Sequence, residues 1–246
     1  MNASAAIALP ALLLAALSAP AQAAPELIRP GLFHGDEINA DADTHDWFGL
    51  YATADGFELA ETRVTVRPVF DPMADLPGEA TGLLVTANSD DEPLILVRGV
   101  PGMIGGPVET AIASPDALEV GDSRSLADGP DGWYALAAFG TAEPSEHLYG
   151  RPQVREYELR LYHHPPLSLG AAPEAPSSQA LVSFDALDDS RPQLIWAGDL
   201  DGDGKLDLLL DATFHYNVSD YTLWTSRGAS GDALVEQVAS FAISGC

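Results

Sequence analysis

Between residues 57 and 162 the chain is a succession of short apolar runs separated by clusters of Gly, Pro and Asp, without a convincing helical period. The clearest run covers residues 154–162, where Tyr157, Leu159 and Leu161 alternate with charged residues. Successive side chains of a strand point to opposite faces, so this alternation predicts a half-solvated antiparallel strand.

The same pattern predicts many more strands. One segment is ambiguous: residues 234–243 fit either a strand or a helix, because Leu234, Val238 and Phe241 also follow a helical period. The other predicted strands cover residues 47–51, 62–66, 83–87, 93–97, 108–112, 133–139, 181–184, 193–197, 206–210 and 221–225. So many short runs predict a mainly β protein, an antiparallel sandwich or an open barrel.

Composition divides the chain into four segments. Residues 1–23 combine an apolar run with Ala21-Gln22-Ala23, which is typical of a secretory signal, although Pro10 interrupts the run and no Lys or Arg precedes it. We therefore expect an exported protein, periplasmic or secreted. We expect a Pro-, Ala- and Ser-rich connection at residues 166–180. It would join a β-rich part over residues 24–165 to a C-terminal β part over 181–246.

The formal charge of −26, with a single lysine, limits the partners that the chain can attract. Such a charge repels nucleic acid and anionic membrane surfaces. Beyond residue 23 no stretch approaches eighteen apolar residues, so we expect no membrane insertion. The single cysteine, Cys246, leaves an exported chain without an internal disulfide, and its thiol is expected to be without a role or to pair between chains.

Residues 198–207 carry the most specific chemical pattern in the chain. Asp199, Asp201 and Asp203 alternate, so a tightly turning backbone can direct three carboxylates toward one centre. Gly202 and Gly204 permit the positive φ angles that such turning needs. Oxygen ligands in this arrangement suit a hard cation, and the loop is therefore predicted to bind Ca²⁺.

The remaining ligands of the predicted site come from the second half of the loop. Asp207 occupies the ninth loop position and is expected to close the cage, while the backbone carbonyl of Lys205 supplies the seventh-position ligand. An EF-hand would need a bidentate glutamate at position twelve, where this chain has Leu210. The flanking apolar runs favour a hairpin crossed by an ion.

The segment of residues 196–210 resembles the strand-loop-strand calcium site of FG-GAP (VCBS-like, integrin-propeller-type) repeats, in which D-x-D-x-D-G-x-x-D precedes an apolar strand. The resemblance implies a cation site and covers about fifteen residues. A propeller would need at least four such repeats, and the chain contains the motif once, so the full propeller is not expected.

Other acidic and histidine-containing positions are interpreted more simply. Residues 41–46 lack the Asp-Gly turn and are expected to form a solvated acidic loop. Asp116, Asp122, Asp128 and Asp131 are predicted to lie in turns. His163 and His164 are expected to end a strand, where adjacent side chains point to opposite faces.

The common local signatures of catalysis do not occur in the sequence. The first hypothesis is therefore a non-enzymatic binding or structural protein whose calcium ion stabilises a hairpin. The alternative is a secreted glycosidase or peptidase that carries a structural Ca²⁺ and assembles its acidic or His-Asp pair by folding. For that alternative, residues 215–217 (His-Tyr-Asn) are the first place to examine.

Overall fold

A computed structural model describes residues 24–112, 116–129, 132–144, 151–167 and 174–244. The predicted signal segment 1–23 and Cys246 lie outside these residues. Within the described ranges the chain forms sixteen strands and one 3-10 turn, and no α-helix. None of the described residues belongs to a helix long and apolar enough for a membrane crossing.

The strands follow one another through the whole described chain, which confirms the predicted mainly β fold. They are β1 (Glu26–Ile28), β2 (Gly31–Phe33), β3 (Asp46–Thr53), β4 (Gly56–Val69), β5 (Gly82–Ala87), β6 (Ile95–Arg98), β7 (Gly106–Ile112), β8 (Asp116–Ala117), β9 (Ser123–Gly129), β10 (Gly132–Glu143), β11 (Gln153–His164), β12 (Ser177–Leu187), β13 (Gln193–Asp199), β14 (Asp207–Asp211), β15 (Val218–Thr225) and β16 (Glu236–Ser244). The 3-10 turn is Ala42–Thr44.

Two antiparallel sheets result. The larger has twelve strands, with the main order β1-β6-β3-β4-β7-β13-β14-β15-β16 and with β2, β5 and β8 paired at its sides. Its first and last strands, β1 and β16, contact each other, so the sheet nearly closes into a barrel. The smaller sheet has the order β12-β11-β10-β9. This arrangement is not a propeller.

The hairpin of β13 and β14 lies between two hydrophobic cores. One core fills the barrel and takes Trp196 and Leu209 from the hairpin. The other lies against the small sheet and takes Leu208 and Leu210. A strand that is buried on both faces needs a continuous apolar run, which is why residues 208–210 of β14 are all leucine. The loop between these strands therefore has a firmly packed base.

Three details differ from the patterns expected along the chain. Asp116 lies in β8 and Asp128 in β9, so the prediction of turns at these positions is wrong. The segment Ser123–Gly129 is mostly polar and becomes a strand because it pairs with β10, a contact that no local period reveals. Asp131 lies outside the described residues. The helical alternative for 234–243 is also wrong, since Glu236–Ser244 pairs with β15.

Candidate metal centre

The acidic loop joins two paired strands. Asp199 ends β13, Asp207 begins β14, and Gly198 lies opposite Asp207 in the register of the hairpin. Both predicted turning glycines have positive φ angles, +72° at Gly202 and +80° at Gly204. Neither position has a neighbouring atom that a β-carbon would meet, so the backbone conformation alone demands glycine.

The carboxylate of Asp199 organises the turn. Its Oδ1 accepts hydrogen bonds from the backbone N–H groups of Gly202 (2.8 Å) and Asp203 (3.1 Å). Its Oδ2 accepts another from the N–H of Gly204, at 2.9 Å. These three bonds hold the loop in a curve around the charge, because a carboxylate is a strong acceptor for backbone donors. The first aspartate of the motif thus fixes the shape of the loop.

Asp207 is a fully buried carboxylate at the base of the loop. Its Oδ2 accepts a hydrogen bond from the N–H of Leu200 (2.8 Å), and its Oδ1 accepts one from the N–H of Ser226 (2.9 Å). Burial raises the pKa of Asp207 to about 7, against the opposing effect of the Ser226 hydrogen bond, and the charge of Asp201 adds to the rise.

Asp201 is also buried, with no exposed side-chain surface. The side chain of Arg227 approaches it: Nη2 donates to Oδ1 at 3.3 Å, and Nε lies 3.1 Å from Oδ2 as an ion pair. No hydrogen bond of acceptable geometry reaches Oδ2, which is therefore a buried acceptor without a hydrogen-bond donor. Burial raises the pKa of this carboxyl above its ordinary value despite the arginine.

Asp199, Asp201 and Asp207 converge. Each offers one carboxylate oxygen, and the three oxygens lie within 4.8 Å of one another. At an effective dielectric constant of about 20, two ionised groups at this distance repel each other by roughly 3 kcal/mol. A divalent cation among them would replace the repulsion by attraction and would add a ligand bond to the buried carboxylate of Asp201, beside its ion pair with Arg227.

The other two predicted ligands have different partners. Asp203 accepts hydrogen bonds from the Lys205 N–H at 2.9 Å and from the Ser226 hydroxyl, whose Oγ is 2.9 Å from Oδ2. Its carboxylate thus links the loop to the end of β15. The roles of Asp203 and of the Lys205 carbonyl as ligands stay predictions.

Sequence reasoning missed two residues of this centre, Ser226 and Arg227, which follow β15. They reach the loop because β15 pairs with β14. No spacing rule connects positions 226 and 227 to a motif at 199–207. The one available signal was the predicted strand over residues 221–225. If this strand is assumed to pair with the predicted strand over 206–210, its end lies beside the loop.

His215, which the sequence marks as a place to examine, also has acidic neighbours. Its Nε2 lies 3.1 Å from Oδ2 of Asp188, and one oxygen each of Asp188 and Asp189 lies within 4.8 Å of a ring nitrogen. The exposed acidic loop at 41–46 contains a weaker contact, with His45 Nε2 3.7 Å from Asp41 Oδ2.

The chain matches no family model, no curated protein and no solved structure. The resemblance of residues 196–210 to an FG-GAP loop therefore stays a prediction, which the local geometry must support without help from relatives.

Proposed function

We propose that this protein is an exported, calcium-binding β protein of binding or structural type, in which one Ca²⁺ holds the loop between β13 and β14. The observation that carries the proposal is the buried carboxylate of Asp201, which converges with those of Asp199 and Asp207 and whose Oδ2 has an ion pair with Arg227 but no hydrogen-bond donor. Buried polar atoms almost always have partners, and a bound ion is one explanation for an exception.

The chemistry of the donors favours calcium. Every proposed side-chain ligand is a carboxylate, and Ca²⁺ takes six to eight oxygen ligands in a flexible arrangement. Asp199, Asp201 and Asp207 supply three, and we assign further positions to Asp203, the Lys205 carbonyl and water. Mg²⁺ demands near-octahedral geometry at shorter distances and releases its water reluctantly, so we expect it to substitute poorly.

The position of the loop gives the ion a structural role. Asp207 begins a strand whose next residues are buried in both hydrophobic cores. An ion that binds only the folded hairpin stabilises the whole fold, by about 2.7 kcal/mol at a free concentration 100 times its dissociation constant. Exported proteins often gain stability from disulfide cross-links, and a single cysteine cannot form one within the chain. We therefore propose that calcium supplies this stabilisation instead.

Thermal unfolding tests this role. Moving the protein from chelator to millimolar Ca²⁺ should raise the melting temperature by several degrees. Asp201→Asn keeps an oxygen for Arg227 but removes the charge, so it should abolish most of the response. Asp41→Asn is the matched control in an exposed loop and should respond like the wild type. Equal calcium responses of Asp201→Asn and the wild type would contradict the proposal.

Export rests on residues 1–23. We propose that cleavage before Ala24 releases the mature chain into the periplasm or the medium. Expression of the full chain, followed by fractionation and N-terminal sequencing, should find Ala24 at the N-terminus outside the cytoplasm. Cytoplasmic protein that retains Met1 would argue against export.

A second candidate function is the hydrolase. An open cleft of about 400 Å³ has three acidic residues in its lining, Glu119, Asp189 and Asp211. A pair of carboxyl groups can catalyse glycoside hydrolysis without a local motif. Screening polysaccharide and peptide substrates tests this candidate, and activity that Asp211→Asn removes without changing the calcium response would favour it.

A further inference from the structure

Two segments that are distant in the sequence meet beside this cleft. Asp188 and Asp189 follow β12, whereas His215 lies between β14 and β15. The backbone N–H of Asp188 donates to the carbonyl of Phe214 at 3.1 Å, which ties the segments together. The N–H of Tyr216 donates to Oδ1 of Asp189 at 2.8 Å and fixes that carboxylate.

The imidazole of His215 is held by a further side chain. Its Nδ1 contacts Oδ1 of Asn217, an oxygen that can only accept a hydrogen bond, and lies farther, at 3.3 Å, from the backbone nitrogen of the same residue. The contact with Oδ1 is the shorter of the two, and a proton on Nδ1 satisfies it and leaves the lone pair of the neutral ring on Nε2. Nε2 is the atom that faces Asp188, at 3.1 Å from Oδ2. A histidine whose second nitrogen is fixed by an amide or carbonyl oxygen is a common metal ligand.

We propose that Asp188, Asp189 and His215 bind a divalent transition-metal ion of the zinc class. Their one nitrogen and two oxygens lie within 4.8 Å of one another, close enough to share an ion. Imidazole favours zinc and related metals over calcium, which takes oxygen ligands. This site is separate from the calcium loop in its residues and in its preferred ion.

The cleft beside the cluster indicates what else the ion would contact. Asp189 lines the cavity of about 400 Å³. Three protein ligands leave one position of a tetrahedral zinc ion for water or for a bound molecule. Arg151 also lines this cavity, and its Nη1 donates to the carbonyl of Asp189 at 2.6 Å. An anionic group that occupies the cleft would therefore meet both a metal ion and an arginine.

Calorimetric titration with Zn²⁺ tests the site, with the protein already saturated with Ca²⁺. The wild type should bind one zinc ion per chain. His215→Ala and Asp189→Asn should each weaken this binding by more than about 100-fold, and Asn217→Ala by about 10- to 100-fold through loss of the orienting contact. His45→Ala, which removes another histidine beside an aspartate, should have no effect.

Folding is checked on the same samples through the calcium-induced rise in melting temperature, which the loop alone should control. Asp189→Asn keeps the acceptor for the Tyr216 N–H, so it provides a folded variant if His215→Ala does not fold. Zinc binding that survives in both His215→Ala and Asp189→Asn would overturn the proposal. Loss of zinc binding in Asp201→Asn would also overturn it, because the zinc ion would then lie in the calcium loop. Failure of the wild type to bind zinc at micromolar concentration would also overturn it.

Discussion

Asp207→Asn should stabilise the protein in the absence of calcium and remove its response to calcium. The wild-type carboxyl is fully buried at the base of the loop, with a pKa of about 7 in the folded state. In the unfolded chain an aspartate has a pKa of about 3.9. Since the folded value is the higher one, this group lowers stability as the pH rises from about 4 through about 7.

The size of the effect follows from these values. A difference of about 3 pKa units corresponds to a cost of roughly 4 kcal/mol at about pH 8. Asparagine avoids this cost, but its single oxygen can accept from only one of the two N–H groups, Leu200 or Ser226, that bond Asp207. The lost acceptor costs about 1 to 3 kcal/mol. The free energy of unfolding should therefore rise by roughly 1 to 3 kcal/mol.

Denaturant unfolding in chelator at about pH 8 and pH 5.5 measures this change. The gain should fall by about 2 kcal/mol at the lower pH, where the wild-type carboxyl is largely protonated in the folded state. In saturating Ca²⁺ the order should reverse, because only the wild type gains the energy of binding. Asp43→Asn, at an exposed position, is the control and should change little. Equal destabilisation by Asp207→Asn at both pH values in chelator would refute the reasoning.

Three further changes test other parts of the structure. Gly202→Ala should cost about 1 to 2 kcal/mol in denaturant unfolding because φ is +72°, whereas Gly202→Asn should cost less since asparagine tolerates this region. The hydrogen bond between His34 and Asp71 raises the pKa of the histidine and lowers that of the aspartate. This pair therefore stabilises the fold at a pH where Asp71 is ionised and His34 is protonated. The stabilisation is lost as the pH falls through the folded pKa of Asp71 or rises through the folded pKa of His34. His34→Gln should therefore lower the unfolding midpoint at pH 5.5 more than at pH 9. Leu209→Ala, at a fully buried position of the barrel core, should lower the free energy of unfolding by about 2 to 5 kcal/mol.

Local pattern was sufficient for the central hairpin and insufficient for the polar strands. Residues 193–197 and 206–210 were predicted as strands because apolar runs flank a turn, and β13 and β14 confirm them within one or two residues. β9 has no comparable signal, since its partner β10 rather than its own period makes it a strand. Pairing between strands is a property of the whole fold, which single-segment patterns do not contain.

The candidate site divides in the same way. The carboxylates of Asp199, Asp201 and Asp207 lie close in sequence, so their spacing alone could indicate convergence. Arg227, which pairs with Asp201 across 26 positions, depends on the order of β14 and β15 in the sheet. Asp188 and His215 meet for a similar reason, because the turn after β12 approaches the loop after β14. Folding assembles these contacts, and no local motif specifies them.

Calorimetric titration with Ca²⁺ is the most direct test of the central proposal. Wild-type protein freed of metal by chelation and then dialysed should bind one calcium ion per chain with high affinity at about pH 7.5, and millimolar Mg²⁺ should compete poorly. Asp201→Asn, confirmed as folded by its circular dichroism, should show no such binding. Tight calcium binding by this variant, or its absence from the folded wild type, would contradict the assignment of the loop as the calcium site.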